Sequence, residues 1–205
     1  MKTFDILIIG GGAAGMSTAL VLGSAKNKPF ASDKKIGIIL HQKASALASG
    51  LFNNVLGLEA GTTGKEILEN GKKQLTKTYP HVTQIEKEKA LKIEGNVGNF
   101  TISTNKNKYK AITIVVAVGP SNLFNIEGLM QYVEPHQKLP AAKERIQLKN
   151  TDHLVTSGIY VAGVLAGWRS QFAIACGSGA SVATDILTQW NDGKPAMVHD
   201  SIQVS

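Results

Sequence analysis

Asp5-Ile6-Leu7-Ile8-Ile9-Gly10-Gly11-Gly12-Ala13-Ala14-Gly15-Met16-Ser17-Thr18-Ala19-Leu20 decides the fold. Four successive aliphatic residues suit a strand buried on both faces, as in a parallel sheet. Three consecutive glycines break the run, and Ala13 to Ala25 then has helix formers with Met16, Ala19 and Leu20 on the packed side. The order is strand, turn, helix. Ile36-Gly37-Ile38-Ile39-Leu40 supplies a second buried strand beyond a polar loop from Lys26 to Lys35, which completes a βαβ unit of right-handed connection.

The turn itself is a G-x-G-x-x-G: Gly10, Gly12 and Gly15 with Ala13 and Ala14 between. After a strand and before a helix, this spacing reads as a dinucleotide-binding loop rather than a plain glycine-rich turn. Gly10 permits the tight turn, Gly12 lets a pyrophosphate approach the backbone, and Gly15 lets helix and strand pack closely. The helix N-terminus then presents N–H groups and a positive dipole end to phosphate. An acid commonly ends the second strand and binds the ribose. Here the strand ends in His41-Gln42. Either residue bonds the ribose, or the pair is an ordinary polar strand end.

Further along, 44–63 is rich in Gly, Ser and Asn and reads as loop. Thr63 with Glu66 forms a capping-box pattern and predicts a helix to Thr78, with Ile67, Leu68, Gln74 and Leu75 on one face. Val82 to Val118 reads as short strands: Thr83–Lys87, Ala90–Glu94, Asn99–Thr104 and Lys108–Val118. The last is fully apolar at its end and is expected to rejoin the central sheet. Residues 125–145 read as a connector, Gly158 to Gly163 as another buried strand, and Gln171 to Trp190 as a long helix that Asn191-Asp192-Gly193 terminates. Ala180, Ala183, Ile186 and Leu187 mark its packed face.

Composition narrows the function. The chain has 205 residues, 43% hydrophobic, so it has a core to bury and the size of one domain. Its single cysteine, Cys176, excludes a disulfide framework, a multi-cysteine zinc site and a CxxC redox centre. Cys176 reads as a buried core thiol, with a reactive thiol as the alternative. Five scattered histidines have no metal-ligand spacing. No G-x-S-x-G is present, which excludes an α/β-hydrolase elbow. The net charge is +7, and residues 26–149 alone hold 19 Lys/Arg against 10 Asp/Glu. Lysines alternate there with Glu and apolar residues, without basic–aromatic interleaving. The excess therefore reads as a solvated Lys-rich surface and not as a nucleic-acid site. Residues 6–25 carry no charge, but Asp5 and the glycine run argue against a signal peptide, and no segment reaches the roughly 18 apolar residues of a membrane span. The expectation is a soluble, cytoplasmic protein without a membrane partner.

With these residues in place, the chain resembles the FAD-binding domain of the thioredoxin-reductase-like pyridine nucleotide–disulfide oxidoreductases. Three blocks carry the resemblance. The first is Asp5 to Leu20. The second runs from Asn54 to Leu129: Asn54-Val55-Leu56-Gly57 resembles the family's Asn-hydrophobic-Pro-Gly turn with Leu56 for Pro, and Val116-Ala117-Val118-Gly119-Pro120 resembles its Ala-Thr-Gly segment. The third is Thr156 to Gly163 with Gln171 to Ala183, which resembles the Gly-hydrophobic-Ala-Gly-Asp strand and the final helix.

The resemblance implies an α/β, three-layer, Rossmann-like FAD-binding domain over 1–205, with a central parallel sheet and a β-meander. It implies FAD as cofactor. Gly10, Gly12, Ala13, Ala14 and Gly15 would meet the pyrophosphate and Asn54 would sit beside the flavin. Gly119 would lie on the adenosine side and Gly163 and Val164 at the ribityl chain. Gln171, Phe172 and Ala173 would aim a helix N-terminus at the flavin pyrimidine edge, where reduced flavin is negative. Three departures stand out. Val164 replaces the acid that binds the ribityl hydroxyls, CxxC is absent, and 120–155 is a short connector in the place of the nicotinamide-binding domain. The catalytic residues stay unassigned. The first function expected is a minimal FAD-dependent oxidoreductase, reduced by another protein or by free nicotinamide, with an acidic electron carrier as a partner. The alternative is a non-catalytic dinucleotide-binding protein with a structural, sensing or partner-binding role. An ordinary NAD dehydrogenase fits the strand meander less well. The family's habit of pairing through FAD domains implies a homodimer. Trp168 and Arg169, before the last helix, would line the flavin edge or cap a loop.

Overall fold

The computed structural model describes residues 1–41 and 45–198; Gln42, one of the two ribose candidates, lies outside the described residues, as does His199. The chain opens β1 (Lys2–Ile9), α1 (Ala13–Ser24) and β2 (Ile36–Leu40), the βαβ unit expected. Two short strands follow, β3 (Leu51–Phe52) and β4 (Thr62–Thr63), then α2 (Gly64–Thr78) and β5 (Thr83–Glu86). Next come β6 (Ala90–Glu94), β7 (Phe100–Thr104) and β8 (Lys108–Val116). The 120–155 segment carries β9 (Val133–Pro135), β10 (Ile146–Leu148) and the start of a hairpin made by β11 (Leu154–Thr156) with β12 (Ile159–Val161); α3 (Phe172–Trp190) ends the ordered helices.

The main sheet runs β11-β12-β8-β1-β2-β5, and the neighbours from β12 to β5 are all parallel. All five residues of β2 are buried, and Ile6, Leu7 and Ile8 of β1 are fully so. That is why both strands read as unbroken aliphatic runs: each face has a cover. Ile6, Ile8, Ile38 and Val115 pack under α1 and α3. Leu7, Ile9, Ile39 and Val116 pack under β6, β7 and the connector residues Ile126, Leu129 and Leu148. The result is three layers, helices over sheet over meander. Gly37 belongs to the second face: a Cβ there would lie 2.7 Å from the Phe4 ring, so the glycine makes room for an aromatic core residue.

β8 serves two neighbours on one edge. Its first half, Lys108 to Ala111, pairs antiparallel with β7, and Ile114 to Val116 pair parallel with β12. The meander is thus β6-β7-β8. β5, which reads as its first member from sequence, instead extends the parallel sheet beside β2. A four-residue strand holds no signal that could choose between the two edges. The connector is more ordered than its sequence suggests, since β9 and β10 form an antiparallel pair of their own.

The helix boundaries follow their caps. Thr63 and Glu66 form the capping box: Glu66 N–H donates to Thr63 Oγ1 at 3.3 Å, and Thr63 N–H donates to Glu66 Oε2 at 2.7 Å. The backbone bond first, then the Thr63 hydroxyl, hold the Glu66 carboxyl below its ordinary value. α3 ends where Gly193, in the left-handed region, returns its N–H to the Thr188 carbonyl at 2.9 Å.

Candidate functional site

Three strands of the sheet end together. Gly10 N–H donates to the Ile39 carbonyl at 3.0 Å, Ala117 N–H to Ile9 at 2.8 Å, and Ala162 N–H to Val116 at 3.0 Å. These bonds carry the ladder past the strands and lay three loops side by side: 10–12, 117–119 and 162–166. In open α/β sheets the carboxyl edge is where ligands bind.

The glycine loop is built by steric demand. Gly10 has φ +116°, and a Cβ there would sit 2.5 Å from the Ala117 carbonyl oxygen. At Gly15 a Cβ would sit 1.9 Å from the Gly10 oxygen. Both positions exclude side chains because backbone lies against backbone. Gly12 differs: the nearest atom to its Cβ position is Ser45 Oγ at 3.9 Å. Gly12 caps α1 without a side-chain bond, and the first turn has no acid. The loop is packed tightly from behind and open in front, at a helix N-terminus that is short of acceptors.

α3 is docked on α1 with the same closeness. A Cβ on Gly179 would lie 2.1 Å from the Ala14 carbonyl oxygen. The buried Thr18 hydroxyl lies 2.9 Å from the carbonyls of both Ala14 and Gly179 and shares its one proton between them. Ser178 Oγ accepts the Gly163 N–H at 2.8 Å. Gly163 has φ +78°, with a Cβ position 2.9 Å from Ala14 Cβ. Ala14, Gly163 and Gly179 therefore meet at one point, and Gln171 caps an α3 N-terminus that also has no side-chain cap and no acid in its first turn.

Beside these two helix starts lies a cavity of about 280 Å³. Its walls are Gly12, Ala13 and Met16 of the loop and α1, Leu47 and Leu58 of the covering loop, and Phe172 of α3, with parts of α2 below. The Phe52 and Phe172 rings, 5.3 Å apart, pin the covering loop to the start of α3. Cys176 lines the same cavity and is half-buried, not a core thiol. One helical turn after Phe172, it inherits that residue's face of α3. Burial pushes its thiol up, and a hydrogen bond from Ser17 opposes the shift.

The connector reaches this edge from the far side. His136 is buried; Lys138 N–H donates to its Nδ1 at 3.1 Å, so Nε2 carries the proton and donates to the Val164 carbonyl at 3.0 Å. Asn150 Nδ2 donates to Leu148 at 2.7 Å and to Ala166 at 3.3 Å, both carbonyls. Gln147 lies against Gly167 and donates to Glu134 Oε1 at 2.7 Å. The 163–167 turn is thus held by α3 on one side and by the connector on the other.

Gly10, Gly12, Ala13, Ala14, Gly15, Gly163, Val164, Gln171, Phe172 and Ala173 come together at or beside this edge, and Gly119 stands exposed on the neighbouring loop with open space at its Cβ. His41 is exposed past the end of β2. Asn54 is exposed on the 53–61 loop and does not line the cavity; its neighbour Asn53 is the loop's internal acceptor, taking the Gly61 N–H at 2.7 Å. Trp168 is half-exposed, 6.0 Å from the His153 ring with Lys138 Nζ 4.8 Å from its centroid, a cap on the connector. Sequence reading passes over Thr18, Ser178, Gly179 and His136. Their roles depend on residues far away in the chain, and a small residue on a packed helix face is the only local sign of the first three.

A model of the pyridine nucleotide-disulphide oxidoreductase family matches residues 4–180. Among curated proteins, a ferredoxin–NADP reductase of Streptococcus pyogenes is 31% identical over 120 residues, 58% of this chain and 35% of that protein. One of Levilactobacillus brevis is 30% identical over 120 residues, 58% of this chain and 34% of that protein. The match spans about a third of the length of these relatives. Among solved structures, a thioredoxin reductase from Gloeobacter violaceus superposes with a TM-score of 0.74 at 13% identity, covering 100% of each chain. A ferredoxin-flavin thioredoxin reductase from Clostridium acetobutylicum gives 0.68 at 16% identity, over 94% of this chain and 99% of that one. These likenesses show a shared Rossmann-like fold. No helix among the described residues is long and apolar enough to cross a membrane. The glycine loop, the three-layer sheet and the family match agree: the chain belongs to the pyridine nucleotide-disulphide oxidoreductases, a family of FAD-binding flavoproteins.

Proposed function

We propose that this chain binds FAD along the carboxyl edge of its sheet and acts as a small flavin-dependent oxidoreductase that takes electrons from an external donor. One observation carries the reading. Gly12 is the single glycine of the loop's three motif positions whose Cβ direction is open, and it caps a helix without side-chain acceptors. The residues fit the group. The first-turn amides of α1 would hold the pyrophosphate, with Ala13 and Ala14 in the first turn and Gly10 and Gly15 closing the loop behind. Gly119 would flank the adenosine half, with His41 as a ribose contact. Gly163 and Val164 would border the ribityl chain, and Gln171, Phe172 and Ala173 would direct the α3 dipole to the flavin ring; Asn54 is the weakest of the set, since it needs the 53–61 loop to move. When bound, FAD supplies the electron transfer itself. The protein orients it, and the walls of Leu47, Phe172 and Met16 exclude water from one side.

The connector over 120–155 stands where a nicotinamide-binding unit would enter, and holds the β9–β10 pair and the start of the β11 hairpin, so the donor is read as a separate protein or free nicotinamide. The basic surface suits an acidic electron carrier. Spectra of the purified protein with added FAD test the core of the proposal; a protein that stays colourless sinks it. A second reading, FAD held for structure or sensing, is favoured by Val164, which offers the ribityl chain no side-chain acceptor. Rapid reduction of the bound flavin by NADH or NADPH with onward transfer to an acceptor would exclude that reading.

A further inference from the structure

At the opposite edge of the sheet, the first residues of β1, β2 and β5 enclose a second cavity of about 200 Å³. One strand length, about 25 Å, separates it from the glycine loop. Four lysines line it: Lys2, Lys26, Lys34 and Lys35. They face one lining carboxylate, Asp33, whose Oδ1 is 3.5 Å from Lys34 Nζ. Asp5 stands close by, but its Oδ2 accepts the Lys35 backbone N–H at 2.8 Å. Three positive charges in a concave space are therefore left without an acidic partner in its wall.

Two of the ammonium groups, those of Lys2 and Lys26, are held in place by neighbours. Lys2 Nζ donates to Thr83 Oγ1 at 3.2 Å and sits 5.3 Å from the Phe4 ring centroid. Lys26 Nζ donates to the Ser32 carbonyl. Each ammonium has three donors, so each of these keeps two for a ligand. His81 also lines the cavity, and its Nε2 is buried without a hydrogen-bond partner among the described residues. A buried polar atom left unpaired is costly, and a ligand that supplies the missing partner recovers that cost.

We propose that this cavity is a binding site for a small phosphorylated anion, held by Lys2, Lys26, Lys34 and Lys35 with His81 in its wall. A phosphate is compact, multiply charged and accepts from several point-charge lysines at once, which a single carboxylate does less well. The space suits a phosphoryl group with its first neighbours, and its concavity does not suit the face of a folded acidic protein. The site stands independently of FAD binding, since it shares no residue with the glycine edge.

Burial first, then the charge of Lys26, holds the His81 imidazole below its ordinary value, while the Gly23 carbonyl works the other way. The other groups facing His81 are the Tyr79 ring, 6.2 Å away and edge-on, and the cavity's own Lys2, Lys34, Lys35 and Asp33. An anion among the lysines cancels repulsion on the imidazole, so its occupancy must raise the His81 titration midpoint.

NMR titration of the full chain with inorganic phosphate, pyrophosphate and adenosine 5′-monophosphate tests this. Saturable shifts at His81 and Thr83, with an upward move of the His81 midpoint, are expected at millimolar ligand. Comparing the three separates a site for free phosphate from one for a phosphate ester. Lys34→Met with Lys35→Met should weaken binding by about tenfold or more, while Lys65→Met with Lys73→Met, on the exposed face of α2, should not. If the first pair fails to fold, Lys2→Met and Lys26→Met singly give the same comparison. Absence of saturation by all three ligands, an unmoved His81, or equal loss in the α2 control would overturn the proposal. So would binding of an acidic protein at these residues with none of phosphate.

Discussion

The Nε2–H of His136 donates to the carbonyl oxygen of Val164 across a sequence gap of 28 residues, at 3.0 Å. The bond ties the connector to the turn proposed to border the ribityl chain. His136→Ala removes the donor and leaves the half-buried Val164 carbonyl with the Gly167 N–H alone, so a loss of about 1 kcal/mol in urea unfolding is expected. His136→Gln, which can restore an N–H donor, should recover part of it. If the turn positions FAD, the alanine variant also releases flavin faster than its loss of stability predicts, as read by recovery of free-flavin fluorescence.

Gly12 and Gly179 should behave in opposite ways. Gly12→Ala meets nothing closer than Ser45 Oγ at 3.9 Å and has ordinary φ of −81°, so the melting temperature should hardly move. Its methyl group nonetheless stands where phosphate must approach, and FAD affinity should fall by about 10- to 100-fold, the loss of one or two charge-assisted hydrogen bonds. Gly179→Ala drives a Cβ to 2.1 Å from the Ala14 oxygen and forces α1 and α3 apart. The cost should be about 3 kcal/mol, visible in thermal unfolding with or without FAD.

Glu88 is buried under the meander and accepts from Thr104 Oγ1 at 2.6 Å, Asn107 Nδ2 at 2.7 Å and the Tyr109 hydroxyl at 3.0 Å. Burial alone would raise its pKa, but the three bonds and Lys106 outweigh burial, and the carboxyl titrates below its ordinary 4.5. A depressed carboxylate stabilises the fold above its unfolded value and loses that contribution as pH falls through its folded value. Stability should therefore be level in Glu88 from neutral pH to about 5 and drop below 4.5. Glu88→Gln should be less stable by about 2 kcal/mol at pH 7 and should show less of the acid loss in urea midpoints measured against pH.

Much of this architecture is legible in the residues. The aliphatic runs of β1, β2 and β8 announce strands covered on both faces, and the Thr63–Glu66 pair marks a helix start because the cap is made of neighbours in sequence. What escapes is long-range. β3, β4, β9 and β10 are two or three residues long, too short for any period, and exist because a distant partner pairs with them. The glycine loop is readable as a motif, whereas Gly179 looks like any small helical residue until Ala14 is placed against it. The Phe52–Phe172 pair joins residues 120 apart, and only the fold brings Cys176 to the cavity wall.

Cys176 offers a direct probe of that wall. Its thiol is raised above the ordinary 9.0 by burial, so little thiolate exists at neutral pH. Alkylation by iodoacetamide, followed by intact mass, should be slow at pH 7.5 and accelerate only above pH 9. Ser17→Ala, which removes the opposing hydrogen bond, should slow it further. FAD bound as proposed should protect the thiol, since Gly12 and Ala13 line the same cavity as Cys176.

The shared edge of β8 has a consequence for fragments of this chain. Ile114, Val115 and Val116 are wholly buried side chains whose backbone edge is paired with β12, and β12 itself is held by the β11 hairpin. Any truncation before residue 154 would strip that cover and bare three consecutive aliphatic residues on an open strand. Such an edge is a template for self-association, with neither lysine nor proline within it to repel a second copy. The closing hairpin is therefore a guard against aggregation as much as a part of the sheet, and fragments of the chain that stop short of it should accumulate as insoluble β-rich material.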